Sequence, residues 1–81
     1  MRILVAIRSE SSWVELARVL RGDGHACDQV ASESSTATAL ASSPFDFAVV
    51  DLGLGSPPGP PLIARLRARG VQTPILALAL S

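Results

Sequence analysis

The stretch that decides the fold is residues 45–59, which reads Phe-Asp-Phe-Ala-Val-Val-Asp-Leu-Gly-Leu-Gly-Ser-Pro-Pro-Gly. Residues 47–50 form a short, continuous apolar run, as expected for a strand that is covered on both faces. The run ends at a carboxylate, Asp51, and a loop of glycine, serine and proline follows. In open α/β sheets, functional groups collect beyond the carboxyl ends of the strands. Asp51 is therefore a candidate site residue, and ending the strand or capping the turn is its alternative role.

Apolar runs on both sides of this stretch predict three more strands, at residues 3–7, 27–31 and 71–80. Helical patterns separate them. The first has apolar residues at i, i+3, i+4 and i+7, preceded by a capping-box spacing of Ser12 and Glu15. The third opens at Pro60 or Pro61, a favourable residue type for a first helical turn. The order β-α-β-α-β-α-β predicts an α/β fold with a parallel sheet.

Composition limits the possible functions. The 81 residues suffice for one small domain, residues 1–81, and the seven arginines balance seven acids. This neutrality argues against direct nucleic-acid binding, which normally requires a basic surplus. One cysteine excludes an internal disulfide and a multi-cysteine metal site. The apolar runs are too short to cross a membrane and no signal peptide is evident, so we expect a cytoplasmic location.

These motifs resemble the response-regulator receiver domain, the flavodoxin-like (CheY-like) phosphoacceptor module of two-component signalling. The resemblance rests on Arg-Ile-Leu-Val-Ala-Ile from residue 2, Phe-Asp-Phe-Ala-Val-Val-Asp-Leu-Gly-Leu from residue 45, Gly59, and Gly-Val-Gln-Thr-Pro-Ile-Leu-Ala-Leu from residue 70. It spans the whole chain and is greatest to receivers of OmpR- and CtrA-type regulators. It implies that Asp51 is the phosphoacceptor, and that the chain is truncated after the fourth strand.

The chain departs from the family pattern around Asp51. Family receivers carry two acids after the first strand that hold Mg²⁺ together with the phosphoacceptor. Here those positions are Arg8 and Ser9, and Glu10 lies one place late. The resemblance therefore implies no metal site and no cofactor, with Mg²⁺ required only if Asp51 is a working phosphoacceptor. Charge complementarity predicts instead that Arg8 pairs with Asp51, and Ala79 takes the place of the family's switch hydroxyl.

The fourth strand predicts an interaction surface. Residues 75–80 are apolar on both faces, yet they form the last strand of the sequence and so an edge of the sheet. An exposed apolar edge promotes pairing with another chain. The candidate interface residues are Ile75, Leu76, Leu78 and Leu80, used either at the strand edge or on the sheet face beside it.

The first functional hypothesis is an atypical receiver, or pseudo-receiver, that is not an enzyme and acts by protein–protein interaction in a phosphorelay. The resemblance implies a histidine kinase, a phosphotransferase or another receiver as its partner, together with self-association. Two alternatives stay open. One is a genuine receiver phosphorylated on Asp51, and the other is a structural dimerisation module.

Overall fold

The computed structural model describes residues 1–79 as one four-stranded parallel sheet with helices on both faces. The elements, in chain order, are β1 (Arg2–Ala6), α1 (Glu10–Gly22), β2 (Ala26–Val30), α2 (Glu33–Ser42), β3 (Phe47–Asp51), a 3-10 turn (Leu52–Leu54), α3 (Pro61–Ala68) and β4 (Ile75–Leu78). The strands lie in the order β2-β1-β3-β4, all parallel. The predicted α/β fold and element order are confirmed.

The alternation of side chains along β1 divides the core into two layers. Leu4 and Ala6 belong to the cluster beneath α2 and α3, whereas Ile3 and Val5 belong to the cluster beneath α1. All four are almost completely buried, because β1 is an interior strand with a neighbour on each side. Successive side chains of a strand point to opposite faces, so a continuous apolar run is what such a position requires.

The first helix begins three residues earlier than the capping-box prediction. Ser9, not Ser12, is its N-cap: the Ser9 Oγ accepts a hydrogen bond from the Ser12 backbone N–H at 3.3 Å. Glu10 therefore lies in the first helical turn, where a negative charge is favourable. Glu15 does not reach back to a backbone amide and instead pairs with Arg18 at 2.8 Å.

The central strand β3 carries Asp51 to the carboxyl edge of the sheet. It pairs with β1 on one side and with β4 on the other, and Asp51 lies opposite Leu78 in the β4 register. A 3-10 turn follows directly, where the sequence indicated only a loop. Within residues 1–79, no helix combines the length and apolarity that a bilayer crossing needs.

Candidate functional site

Asp51 is a buried carboxylate that caps the turn following its own strand. It is the last residue of β3, and only 9% of its surface is exposed. Its Oδ1 accepts a hydrogen bond from the Gly53 backbone N–H at 3.0 Å, and it serves as the N-cap of the 3-10 turn. The side chain thus satisfies a backbone donor that would otherwise lack a partner at the start of the turn.

A cavity of about 340 Å³ lies beside this carboxylate. Its lining consists of Asp51, Leu52, Gly53, Pro58, Gly59, Pro60 and Ala79. It therefore lies where the carboxyl end of β3 meets the residue after β4, at the edge of the sheet predicted to hold the site. The position implied for the switch hydroxyl, Ala79, is adjacent to this cavity but supplies only a methyl group.

The three residues predicted near the site make no hydrogen bond or ion pair with Asp51 within residues 1–79. Arg8, Ser9 and Glu10 are all exposed and none of them lines the cavity. Among residues 1–79, no ion pair joins Arg8 to Asp51, so the predicted pairing is wrong. The Arg8 side chain is exposed, and the Gly53 amide, two residues from the carboxylate, is the donor to Asp51 Oδ1.

The residues described around Asp51 offer a magnesium ion a single carboxylate. Mg²⁺ requires octahedral oxygen coordination and is usually held by one or two carboxylates together with substrate oxygens and water. Among residues 1–79, Asp51 is the one carboxylate that lines the cavity, and its Oδ1 accepts the hydrogen bond from Gly53. Nowhere in residues 1–79 do three histidine, cysteine or acidic side chains come together as a metal-binding group.

An ion pair between α2 and α3 supports the loop that forms the cavity. Arg65 donates from Nε and Nη2 to both carboxylate oxygens of Glu33, at 2.9 to 3.2 Å. Its Nη2 also reaches the Pro57 carbonyl at 3.4 Å. This pair is only partly exposed, and the bidentate geometry is the strong form of an arginine–carboxylate contact. It therefore links both helices of one face to the loop after Asp51.

Two arginines of α3, Arg65 and Arg67, make specific contacts with other segments of the chain. Arg65 makes the ion pair with Glu33, and Arg67 donates from Nη1 to the carbonyls of Val71 and Thr73 at 3.0 and 2.8 Å. Both contacts hold α3 to neighbouring chain segments. Nothing in the spacing of Glu33 and Arg65 predicts their contact, because 32 residues separate them and the packing of two helices brings them together.

The Glu33–Arg65 pair makes a pH-dependent contribution to stability. Hydrogen bonding from Arg65 holds the pKa of Glu33 below its ordinary value of 4.5. A lowered folded-state pKa stabilises the fold above the unfolded-state pKa, and this contribution is lost as pH falls through the folded value. We expect Glu33→Gln to be less stable than the parent at pH 7, with the difference shrinking below about pH 4. Urea unfolding of both proteins at several pH values from 7 to 3 measures this difference in stability.

The control for that experiment is Glu15→Gln. It removes an ion pair with Arg18 in which both side chains are 71% exposed. Exposed ion pairs contribute little to stability. We therefore expect the free energy of unfolding of Glu15→Gln to stay within about 0.5 kcal/mol of the parent value across the same pH range. A difference for Glu33→Gln that stays constant down to pH 3 would show that the carboxylate charge of Glu33 is not what stabilises the fold.

The predicted interface residues divide between the two faces of β4. Ile75 packs against the core cluster beneath α2 and α3, whereas Leu78 packs against the cluster beneath α1. Leu76 lies with Leu78 on the α1 side and is 51% exposed. Leu80 lies outside the described residues. Strand alternation therefore leaves Leu76 and Leu78 as the pair that shares one apolar surface.

Comparison with known proteins agrees with the fold and the element order. Over 78 residues, 96% of this chain, the sequence is 36% identical to the transcriptional regulatory protein TcrA of Mycobacterium tuberculosis, in strains H37Rv and CDC 1551. The receiver domain of the Francisella response regulator 1452 superposes with a TM-score of 0.84 over 96% of this chain, at 18% identity. The chain spans 31% of the length of TcrA and 64% of the Francisella chain.

No protein-family model matches the chain. The sequence similarity nevertheless extends over almost all of it, and the superposition matches four parallel strands with interleaved helices. The chain therefore has the fold of a response-regulator receiver domain, together with sequence similarity to a transcriptional regulatory protein.

Proposed function

We propose that the chain is a pseudo-receiver of two-component signalling, which acts through protein–protein contacts and does not accept a phosphoryl group at Asp51. The observation that carries the proposal is the set of groups that surround the Asp51 carboxylate. Asp51 is the one acid lining its cavity, and it caps the turn by accepting the Gly53 N–H at 3.0 Å. Phosphoryl transfer depends on neutralising charge in the transition state. Neither a second acid for a metal nor a basic side chain lines this cavity in the part of the chain described.

The proposed partners are the proteins that receiver domains meet in a phosphorelay: a histidine kinase, a phosphotransferase or another receiver. Binding one of them without accepting its phosphoryl group would make the chain a non-productive decoy. The net charge of zero supports a protein partner over nucleic acid. The proposal includes self-association and a cytoplasmic location, and it assigns no catalytic residue.

The second candidate is a genuine phosphoacceptor, and one observation favours it. Asp51 lies at the carboxyl end of the central strand, beside an open cavity whose wall includes Gly53 and Gly59. Glycines allow close approach to the backbone, and the free Oδ2 of Asp51 makes no hydrogen bond within residues 1–79. In that case Mg²⁺ would have to be held by Asp51 together with water and the phosphoryl donor.

Intact mass after incubation with a small phosphoryl donor separates the two candidates. Acetyl phosphate and phosphoramidate, the latter with the phosphorus–nitrogen bond of a phosphohistidine, are each added with and without Mg²⁺. We expect no phosphate-sized gain under any of the four conditions. A gain that depends on Mg²⁺ and disappears in Asp51→Ala would overturn the proposal and establish the phosphoacceptor.

A further inference from the structure

The tip of the loop between β3 and α3, residues 56–58, has a single hydrogen bond to the rest of the chain within residues 1–79. Arg65 Nη2 donates this bond to the Pro57 carbonyl at 3.4 Å. The three tip residues are exposed, and two of them are prolines, which have no backbone N–H to donate. The position of the tip therefore depends on Arg65.

Glycines flank the tip and allow it to move as a unit. Proline fixes φ, so Pro57 and Pro58 leave the tip few conformations of its own. Gly55 precedes the tip, and Gly59 follows it with a φ of +113°, a value that glycine adopts readily. Hinges are loop positions that absorb a change in backbone dihedrals, often at small residues. The contact with Arg65 thus fixes the orientation of the whole tip.

Glu33 holds the Arg65 guanidinium in the orientation that reaches the loop. Nε and Nη2 donate to both carboxylate oxygens at 2.9 to 3.2 Å, and Nη2 is also the donor to Pro57. Bidentate pairing fixes the plane of a guanidinium as well as its position. At 3.4 Å the contact with Pro57 is long, so it requires a donor that is already oriented. Glu33 is the first residue of α2 and thus attaches the loop to that helix.

Arg65 contacts the loop at a second point, Gly55, where the chain has no side chain. A Cβ built at this glycine would lie 2.9 Å from Arg65 Nη2, closer than real Cβ atoms come to a neighbour. The guanidinium therefore occupies the space that a side chain would take. It lies against the loop just before the tip as well as at Pro57.

We propose that Glu33, Arg65 and the Pro57 carbonyl form a clamp that controls access to the cavity beside Asp51. We call this group the Arg65 clamp. The two residues that follow the clamped carbonyl both line the cavity. When Arg65 is released from Glu33, the tip turns about its flanking glycines and the cavity opens. The inference goes beyond the proposed function, because it holds whether or not Asp51 accepts a phosphoryl group.

Amide hydrogen exchange measured by NMR tests the proposal. The reporter is the Gly59 amide, which donates to the Leu52 carbonyl at 3.0 Å and moves with the tip. The Ile7 amide, which donates to the Val30 carbonyl at 2.9 Å inside the sheet, reports unfolding of the whole domain. A change at Gly59 that exceeds the change at Ile7 therefore measures opening of the loop alone.

The matched variants are Glu33→Ala and Glu10→Ala. α1 and α2 begin with the same sequence, Ser-Glu-Ser-Ser, and in each helix the first serine is the N-cap. Each variant removes the acid from a first helical turn. Within residues 1–79, however, Glu33 forms an ion pair and Glu10 does not. The comparison thus separates the Arg65 clamp from the effect of an acid at a helix start.

We expect Glu33→Ala to raise the exchange rate of Gly59 at least about tenfold relative to Ile7, because a charge-assisted contact is lost. Glu10→Ala should change the two rates by the same factor. Arg65→Gln, which removes the donor itself, should reproduce the effect of Glu33→Ala. The double variant should be no faster than either single variant, because the two side chains act as a unit.

A Gly59 rate that changes only as much as the Ile7 rate in Glu33→Ala would overturn the proposal, and the loop would then be held by its own backbone. Effects that multiply in the double variant would also overturn it, since Glu33 and Arg65 would then hold the loop separately. No phosphoryl donor is involved, so failure here leaves the mass measurement of the proposed function unaffected.

Discussion

Leu66→Ala is expected to destabilise the domain by about 2–5 kcal/mol, the usual range for truncating a fully buried leucine. Leu66 has no exposed surface and lies on the inner side of α3, against the core beneath α2 and α3. An 81-residue domain has about 4–12 kcal/mol of stability in total, so this one change could remove half of it. Urea unfolding followed by circular dichroism measures the difference.

The control for Leu66→Ala is Leu76→Ala, which removes the same atoms from a side chain that is 51% exposed. We expect this change to cost less than about 1 kcal/mol of stability. Equal losses for the two variants would mean that α3 is not packed as described. A loss of packing at Leu66 would also affect the cavity beside Asp51, because α3 begins directly after the loop that lines this cavity.

The strands could be predicted from the sequence because an interior parallel strand has few alternatives. The continuous apolar runs that become β1 and β3 must be buried on both faces, and a four-residue apolar run is too short for a helix. The first residue of α1 is harder to predict from the sequence, because Ser9 and Ser12 both have a hydroxyl that can cap a helix. Ser9 is the N-cap, since its Oγ accepts a hydrogen bond from the Ser12 backbone N–H. Residue spacing alone does not distinguish this cap from a capping box formed by Ser12 and Glu15.

The site could be predicted only as far as the sheet edge. The rule that functional groups collect at the carboxyl ends of parallel strands placed Asp51 correctly, because it depends on topology alone. The rule does not predict which neighbouring residues contact Asp51. Arg8 follows an adjacent strand but turns outward to solvent, while the backbone two residues after Asp51 bends back to the carboxylate. Contacts between distant segments, such as Glu33 with Arg65, depend on how two helices pack.

Gly55→Ala is expected to destabilise the domain by about 1–3 kcal/mol, because the loop after Asp51 has no room for a methyl group. A Cβ at Gly55 would lie 2.8 Å from the Pro57 carbonyl oxygen, 2.9 Å from Arg65 Nη2 and 3.1 Å from Leu62 Cβ. The arginine could move away, but the carbonyl belongs to the backbone of the same loop and Leu62 is fully buried. The backbone conformation is not the obstacle, since φ at Gly55 is −74°.

Gly22→Ala is the matched control, because a Cβ at this last residue of α1 would meet nothing within 4 Å. We expect it to be neutral or to stabilise by up to about 1 kcal/mol, as alanine restricts the unfolded chain more than glycine does. If the new methyl group at position 55 displaces Arg65, the Glu33–Arg65 pair is already broken in that variant. Glu33→Gln should then cost less in the Gly55→Ala background than in the parent, a coupling that a double-mutant cycle measures. Additive losses would show instead that the loop moves and the ion pair stays, so that the cavity beside Asp51 changes shape while α2 and α3 remain joined.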